Sequence, residues 1–211
     1  MPRSAAKIAS LVLGTCAALL GASHGYFEIL QGDIASSGVL ISARGAPCVP
    51  TAIYHACWPA MTLAPTLRTS GMLAILASGA ILVWVTVFIG RRHGPLVLGG
   101  LSAVLLGVGG GFVPPLYGIL AAVAGAQIDA RLSGWRARIP RSALWLLARC
   151  WPWLLVACFV WTAVQMVFGG ALSPFLSSHA GLLFVASLVG LVVAVAAALA
   201  HDLFRRAGST P

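Results

Sequence analysis

Four polar residues near the end of the first apolar segment are the best candidates for chemistry in this chain. His24 and Glu28 are four residues apart, so a helix places them on one face. Gln31 lies close to that face, and Asp33 follows it. An ionisable pair inside a membrane suggests a proton relay or a cation ligand. The alternative is contact with interfacial water and headgroups, since Glu28 lies about 20 residues, or roughly 30 Å, beyond Ile8.

A glycine- and proline-rich motif interrupts the longest uncharged stretch of the chain. Residues 94–128 carry no charge, and Gly-Gly-Gly-Phe-Val-Pro-Pro occupies positions 109–115. Glycine tolerates positive φ and proline has no backbone N–H, so a helix is expected to break here. The candidate residues of this helix break are Gly109, Gly110, Gly111, Pro114 and Pro115.

The cysteines indicate one candidate disulfide. Cys48 and Cys57 lie in a connection expected outside the membrane, where an oxidising compartment permits a bond between them. His55 could join them in a metal site, but three ligands at irregular spacing are a weak signal. The remaining cysteines are expected to act as small apolar residues.

The motifs of common enzymes are absent from the sequence. There is no HExxH, GxSxG or paired CxxC, and the chain has only four acidic residues. Gly107–Gly111 lacks the spacing and the Lys-Ser/Thr of a nucleotide loop. The sequence therefore predicts a protein that is not an enzyme and binds no cofactor.

Composition places the chain in a lipid bilayer. Sixty per cent of the residues are hydrophobic and 8% are charged, whereas soluble domains carry about a quarter charged residues. The net charge of +9 could indicate nucleic-acid binding, but the arginines cluster beside apolar runs, as they do where spans are oriented. The expected partner is the bilayer, not nucleic acid.

These patterns predict an all-α, polytopic transmembrane bundle of about six spans in a single domain. The expected spans are residues 8–30, 70–89, 95–110, 114–128, 145–168 and 180–200. An outer loop covers 31–69, a basic cytoplasmic loop covers 129–144, and 169–179 is expected to be a loop. The first segment could instead be a signal peptide cleaved near residue 22, although its apolar character continues beyond that point.

The distribution of basic residues decides the number of spans. If residues 95–128 cross twice, eleven of the 13 basic residues are cytoplasmic and only Arg44 and Arg68 lie outside. A single crossing gives at best nine against four, so the positive-inside rule favours six spans with both termini cytoplasmic. The two segments of about 15 residues are shorter than a bilayer core, so a re-entrant hairpin remains the alternative.

Small residues recur at helix-face spacing in the later segments. One stripe contains Gly99, Ala103 and Gly107, a second Gly118 and Ala122, and a third Ala186, Gly190, Ala194 and Ala198. Such stripes let membrane helices approach closely. They predict packing within the bundle or, alternatively, contact with a second copy or another membrane protein.

Two motifs resemble those of an uncharacterised family of small multi-pass membrane proteins from bacteria and archaea. They are His24-Gly25-x-x-Glu28-x-x-Gln31-Gly32 and the Gly-Gly-Gly-Phe-x-Pro-Pro motif at 109–115. Pro59-Ala60-Met61-Thr62 is also similar, and the likeness covers roughly residues 20–127. Asp33 stands where the family usually has asparagine. The resemblance implies a polytopic helical protein and no activity.

Two functions remain open from the sequence. The first is a non-enzymatic subunit or accessory factor of a bacterial plasma membrane, because catalytic patterns are lacking and small-residue faces are present. The second is a small transporter or channel that uses the His24/Glu28 group and the helix break, since broken helices are typical of transporters.

Overall fold

The computed structural model describes residues 4–36, 38–42, 59–128, 140–168 and 171–208. The helices are α1 (Ala5–Leu30), α2 (Leu67–Val83), α3 (Gly94–Gly107), α4 (Val113–Ala126), α5 (Arg141–Phe168), α6 (Ser173–Ser178) and α7 (Ala180–Gly208). A π-helical turn, Trp84–Phe88, extends α2, and two short strands, β1 (Leu40–Ser42) and β2 (Pro59–Met61), precede it. The predicted helical class is confirmed.

Four helices in the described part of the chain are long and apolar enough to cross a membrane. They are Ala5–Leu30, Leu67–Phe88, Ser142–Phe168 and Gly181–Arg205. The helices α3 and α4, with 14 residues each, are shorter, and each reaches about 21 Å at 1.5 Å per residue. Their short length agrees with the break expected between them.

Two connections differ from the loops predicted for them. β1 pairs antiparallel with β2 inside the 31–69 connection, with Ile41 opposite Ala60. The segment expected to be a loop at 169–179 contains α6. In both places the backbone N–H and C=O groups bond to one another, across the strand pair or within the short helix. Backbone polar groups need such partners wherever water is excluded.

The helix α1 lies at the centre of the bundle and packs against α2, α4, α5 and α7. More than half of its most apolar stretch is buried, compared with about a third or less in the other long helices. Its buried residues are mostly Ala, Gly and Ser, which let neighbouring helices approach closely. The small side chains thus allow α1 to pack against several helices at once.

A close helix contact joins α1 to α2 through two glycines. A Cβ placed on Gly71 would collide with the carbonyl oxygen of Gly25, and a Cβ on Gly25 would meet that of Gly71. Gly21 and Gly25 form a GxxxG motif that is visible in the sequence and indicates this contact. The stripes predicted from the sequence lie in the later segments and do not include this contact.

The predicted stripes are used unequally. Gly118 packs against Ser102, and Ala194 and Ala198 are buried in α7. The stripe on α3 is used only in part: a Cβ on Gly99 would lie 3.8 Å from Ala122, whereas Ala103 is exposed and a Cβ on Gly107 would meet no atom within 4 Å. The buried face of α3 consists of Gly94, Leu98, Ser102 and Leu105.

A buried carboxylate joins the two ends of the chain. Asp202 of α7 accepts hydrogen bonds from the backbone N–H groups of Ala5, at 2.8 Å, and Ala6, at 2.9 Å. These groups begin α1 and have no partner within the helix, so the carboxylate caps α1 and complements its dipole. The start of α1 and the end of α7 therefore lie at the same end of the bundle, which we call the terminal end.

The turn between α3 and α4 lies at the opposite end of the bundle. Its backbone pairs with the segment after β2: Leu63 N–H donates to the Gly107 carbonyl at 2.9 Å, and Gly109 N–H donates to the Met61 carbonyl at 2.8 Å. From this turn α4 runs along α1 toward the terminal end, where the Ser10 hydroxyl donates to the Ala121 carbonyl at 2.7 Å.

Candidate functional site

His24 and Glu28 lie inside the protein. Their exposed fractions are 7% and 0%, and both face the turn between α3 and α4. An ionisable residue so placed is expensive to bury among apolar helices, and it is usually kept for a function. The buried position differs from the contact with headgroups that was the alternative for these two residues.

Two glycines of the helix break make room for these side chains. Gly109 has φ +91° and Gly111 has φ +74°, a region that L-residues with a Cβ rarely adopt. A Cβ on Gly109 would collide with the Ser70 hydroxyl and the Glu28 carboxylate, and a Cβ on Gly111 would lie 2.8 Å from His24 Nε2. Both backbone conformation and space thus require glycine.

The remaining residues of the motif shape the turn. The Gly110 N–H donates to the Leu105 carbonyl at 3.0 Å, which closes the end of α3. Pro114 and Pro115 are fully buried in the first turn of α4, where the missing N–H groups have no intrahelical partner to lose. The prolines therefore allow α4 to begin directly after the glycine turn.

Two hydroxyl groups that the sequence analysis did not select complete the site. The Ser70 hydroxyl lies 2.7 Å from Thr62 Oγ1 and 3.1 Å from the Val108 carbonyl oxygen. Thr62 Oγ1 also accepts a hydrogen bond from the Ala64 N–H at 3.1 Å. Ser70 and Thr62 are both buried. The similarity of Pro59-Ala60-Met61-Thr62 to the family motif was the one sequence signal that could have indicated Thr62.

The carboxylate of Glu28 lies beside the Ser70 hydroxyl at the glycine turn. Both of its oxygens are inaccessible to solvent, and they have no hydrogen-bond partner within the described residues. The Ser70 hydroxyl can donate its one hydrogen to Thr62 or to the Val108 carbonyl. Its oxygen and the carboxylate approach the same side of Gly109.

Gln31 and Asp33 are less buried than His24 and Glu28. Gln31 is half-buried at the end of α1, and its side-chain amide donates to the Phe27 carbonyl at 3.3 Å. Asp33 is exposed and forms a 3.2 Å ion pair with Arg68, whose side chain is also exposed. An exposed pair of this kind contributes about 0–1 kcal/mol. The four candidates thus comprise a buried pair, one half-buried residue and one exposed residue.

The cysteine candidates fall outside the site. Cys48 and Cys57 lie outside the described residues, so their disulfide stays a prediction. Cys16, Cys150 and Cys158 are free thiols. Within the described ranges, no three His, Cys, Asp or Glu side chains are grouped as metal ligands.

A second region between α4, α5 and α7 contains an apolar cavity of about 350 Å³. Tyr117 Oη lies 2.7 Å from Thr162 Oγ1 at this region, and Trp161 Nε1 donates to the Ser187 hydroxyl at 2.9 Å. Leu154, Leu183 and Leu191 supply much of the remaining lining. These polar groups satisfy one another and the rest of the lining is apolar, so we assign the region no chemistry.

Comparison with known proteins does not assign the chain to a group. No protein-family profile, no curated protein and no solved structure matches it. A functional conclusion therefore rests on the geometry around Glu28.

Proposed function

We propose that this protein is a non-enzymatic, multi-pass membrane protein that moves a small cation or a proton across a bacterial plasma membrane. The observation that carries the proposal is the fully buried carboxylate of Glu28, which lies against the glycine turn that interrupts α3 and α4. Transporters bind coupling ions where helices are broken and backbone groups become available.

The energetics of the site support a functional role for Glu28. A buried charge is stable only when it is paired, hydrogen-bonded or neutralised. Pairing with Glu28 would require a basic side chain near the α3–α4 turn. Of the described arginines, Arg68 follows the outer segment, and it is already paired with Asp33 at the surface. Binding a proton or a cation neutralises the carboxylate, so the residue alternates between two charge states during transport.

Replacing Glu28 tests this function. In liposomes containing the purified protein, we expect Glu28→Gln to reduce cation or proton flux to the level of empty liposomes. Glutamine keeps the side-chain volume but cannot lose a proton. The control is Asp33→Asn, which removes an exposed carboxylate near the same end of α1 and should leave flux unchanged.

A stability measurement accompanies the flux assay. Because Glu28→Gln removes a buried ionisable group, the variant should unfold in sodium-free detergent solution at the same temperature as the unaltered protein or a higher one. A stable Glu28→Gln protein that still transports at the original rate would contradict the proposal. Equal loss of flux in Asp33→Asn would contradict it as well.

We further propose that the chain crosses the membrane six times, with both termini in the cytoplasm. The bond of Asp202 to the start of α1 places the two ends of the chain together, which agrees with an even number of crossings. The backbone bonds between the α3–α4 turn and residues 61–63 support a hairpin that reaches the outer segment. A re-entrant α3–α4 hairpin that stopped short of the outer side of the membrane would be less compatible with those bonds.

Cysteine labelling tests this topology in a variant without the five native cysteines. Phe112 and Leu63 are 37% and 78% exposed at the turn end, and Arg92 is exposed toward the terminal end. A membrane-impermeant maleimide should label Phe112→Cys and Leu63→Cys on intact cells, and Arg92→Cys only after permeabilisation. Labelling of Phe112→Cys from the cytoplasmic side would overturn the six-span arrangement.

The role of an accessory subunit is the second candidate. It is favoured by large apolar side chains exposed on α5 and α7, such as Trp153 at 75% and Leu182 at 70%, which could contact another membrane protein or a second copy. Lipid accounts for the same exposure, whereas it does not account for a buried carboxylate. Transport is therefore the stronger proposal.

A further inference from the structure

We infer that Glu28, Ser70, Thr62 and the backbone carbonyl of Val108 form a binding site for a sodium ion. The inference rests on the proposed function, since it names the cation that the site would bind. It adds two side chains and one main-chain group that sequence analysis did not connect with Glu28.

The four groups come from separate elements that meet at the helix break. Glu28 lies in the last turns of α1 and Ser70 in the first turn of α2, while Thr62 precedes α2 and Val108 follows α3. Ser70 Oγ lies within 2.7–3.1 Å of the Thr62 and Val108 oxygens. The Glu28 carboxylate contacts Gly109 on the face where Gly109 also meets Ser70.

The chemistry of these groups selects a hard cation. All four provide oxygen, which hard cations prefer over nitrogen or sulfur ligands. Val108 follows the last residue of α3, so the C-terminal end of α3, which carries partial negative charge, lies at the site. Carbonyl groups of interrupted helices and helix C-termini coordinate Na⁺ or H⁺ in secondary transporters.

The charge of the cluster favours a monovalent ion. One carboxylate with two hydroxyls and a carbonyl carries a charge of −1, which a monovalent cation neutralises. Asp33 is exposed in its ion pair, and Asp202 lies at the terminal end, so neither of them supplies a second carboxylate. Among monovalent ions, Na⁺ and H⁺ are the ones that secondary transporters bind at interrupted helices, and this favours sodium over potassium.

Bound sodium would also connect the outer segment to the helix break. Thr62 lies between Met61 and Leu63, whose backbone groups bond to Gly109 and Gly107. A cation held by Thr62 and Val108 would strengthen this contact, and its departure would weaken it. Sodium occupancy is therefore expected to stabilise the closed arrangement of residues 61–63 over the site.

Sodium-dependent stability tests the inference on the full-length protein in detergent. Thermal unfolding is followed in NaCl, KCl and choline chloride at equal ionic strength, and ²²Na⁺ binding is measured directly. We expect saturable stabilisation by NaCl that exceeds that by KCl, and none specific to choline. Ser70→Ala and Thr62→Val should raise the sodium concentration needed for half-saturation by about tenfold or more.

Ser78→Ala is the matched control. Ser78 is a buried serine on the same helix as Ser70, but its hydroxyl lies near Gly21 and away from the site. The control should keep the sodium response. Identical unfolding in the three salts, a preference for potassium, or equal loss of the response in Ser78→Ala would overturn the inference.

The result also separates this inference from the proposed function. Flux that depends on Glu28 and on pH but not on sodium would overturn the sodium site and leave cation transport standing. Sodium binding at Glu28 without any flux would support the site and contradict transport.

His24 is the neighbouring titratable residue on α1, and His24→Gln tests whether it belongs to the site. Sodium binding should persist in this variant. Its loss would contradict the four-oxygen site.

Discussion

Gly109→Ala is expected to destabilise the protein by about 2–5 kcal/mol. Alanine at a positive φ costs about 1–2 kcal/mol, and forcing an extra carbon into a packed site costs typically 1–3 kcal/mol. The new Cβ would collide with the Ser70 hydroxyl and the Glu28 carboxylate, both buried. Thermal unfolding in detergent and the yield of monodisperse protein measure the effect.

The control for Gly109 is Gly32→Ala. Gly32 has φ +81°, but a Cβ there would meet no atom within 4 Å. The control therefore carries the backbone strain without the collision, and it should destabilise the protein by only about 1–2 kcal/mol. If the two variants unfold at the same temperature, the packing of Gly109 against Ser70 and Glu28 is not as described.

Gly71→Val should have a comparable or larger effect, because it separates α1 from α2. The substituted side chain would collide with the Gly25 carbonyl oxygen and press on Ile29, whose side chain and backbone N–H both lie 2.9 Å from the position of the Cβ. Membrane helices associate through close packing with little hydrophobic driving force, so a forced gap between them is poorly compensated. We expect most of the expressed variant to aggregate on extraction.

Gly79→Val provides the comparison on the same helix. Gly79 is exposed, and a Cβ there would meet no atom within 4 Å. Valine at this position should face lipid. It should change the free energy of unfolding by no more than about 0.5 kcal/mol and leave the yield of folded protein unchanged. Equal aggregation of both variants would show that valine itself, and not the contact with Gly25, disturbs α2.

Several elements of the fold were predictable because their causes are local. The observed helix Ala5–Leu30 agrees closely with the expected span 8–30, and Leu67–Phe88 agrees with 70–89. The break between α3 and α4 was also expected, since Gly109, Gly111 and the following prolines cannot continue a helix. Local composition and backbone conformation determine these features without reference to other parts of the chain.

The contents of the site were less predictable. Helical spacing placed His24 and Glu28 on one face, but it did not show which element covers that face. The sequence also grouped Gln31 and Asp33 with them, whereas the structure places Asp33 beside Arg68 at the surface. Ser70 was missed because serine is common in membrane helices and carries no pattern of its own, and Thr62 because its motif resembles that of a family without a known activity.

The sequence by itself determined that this is a helical membrane protein with a helix break at Gly109–Gly111, since hydrophobic length and backbone chemistry act within a few residues. Only the tertiary structure decided that Glu28 is buried under that break and that Asp202 caps α1. Those contacts join residues about 80 to 200 positions apart, and they depend on which small-residue faces pack together. Spacing along one helix does not contain that information.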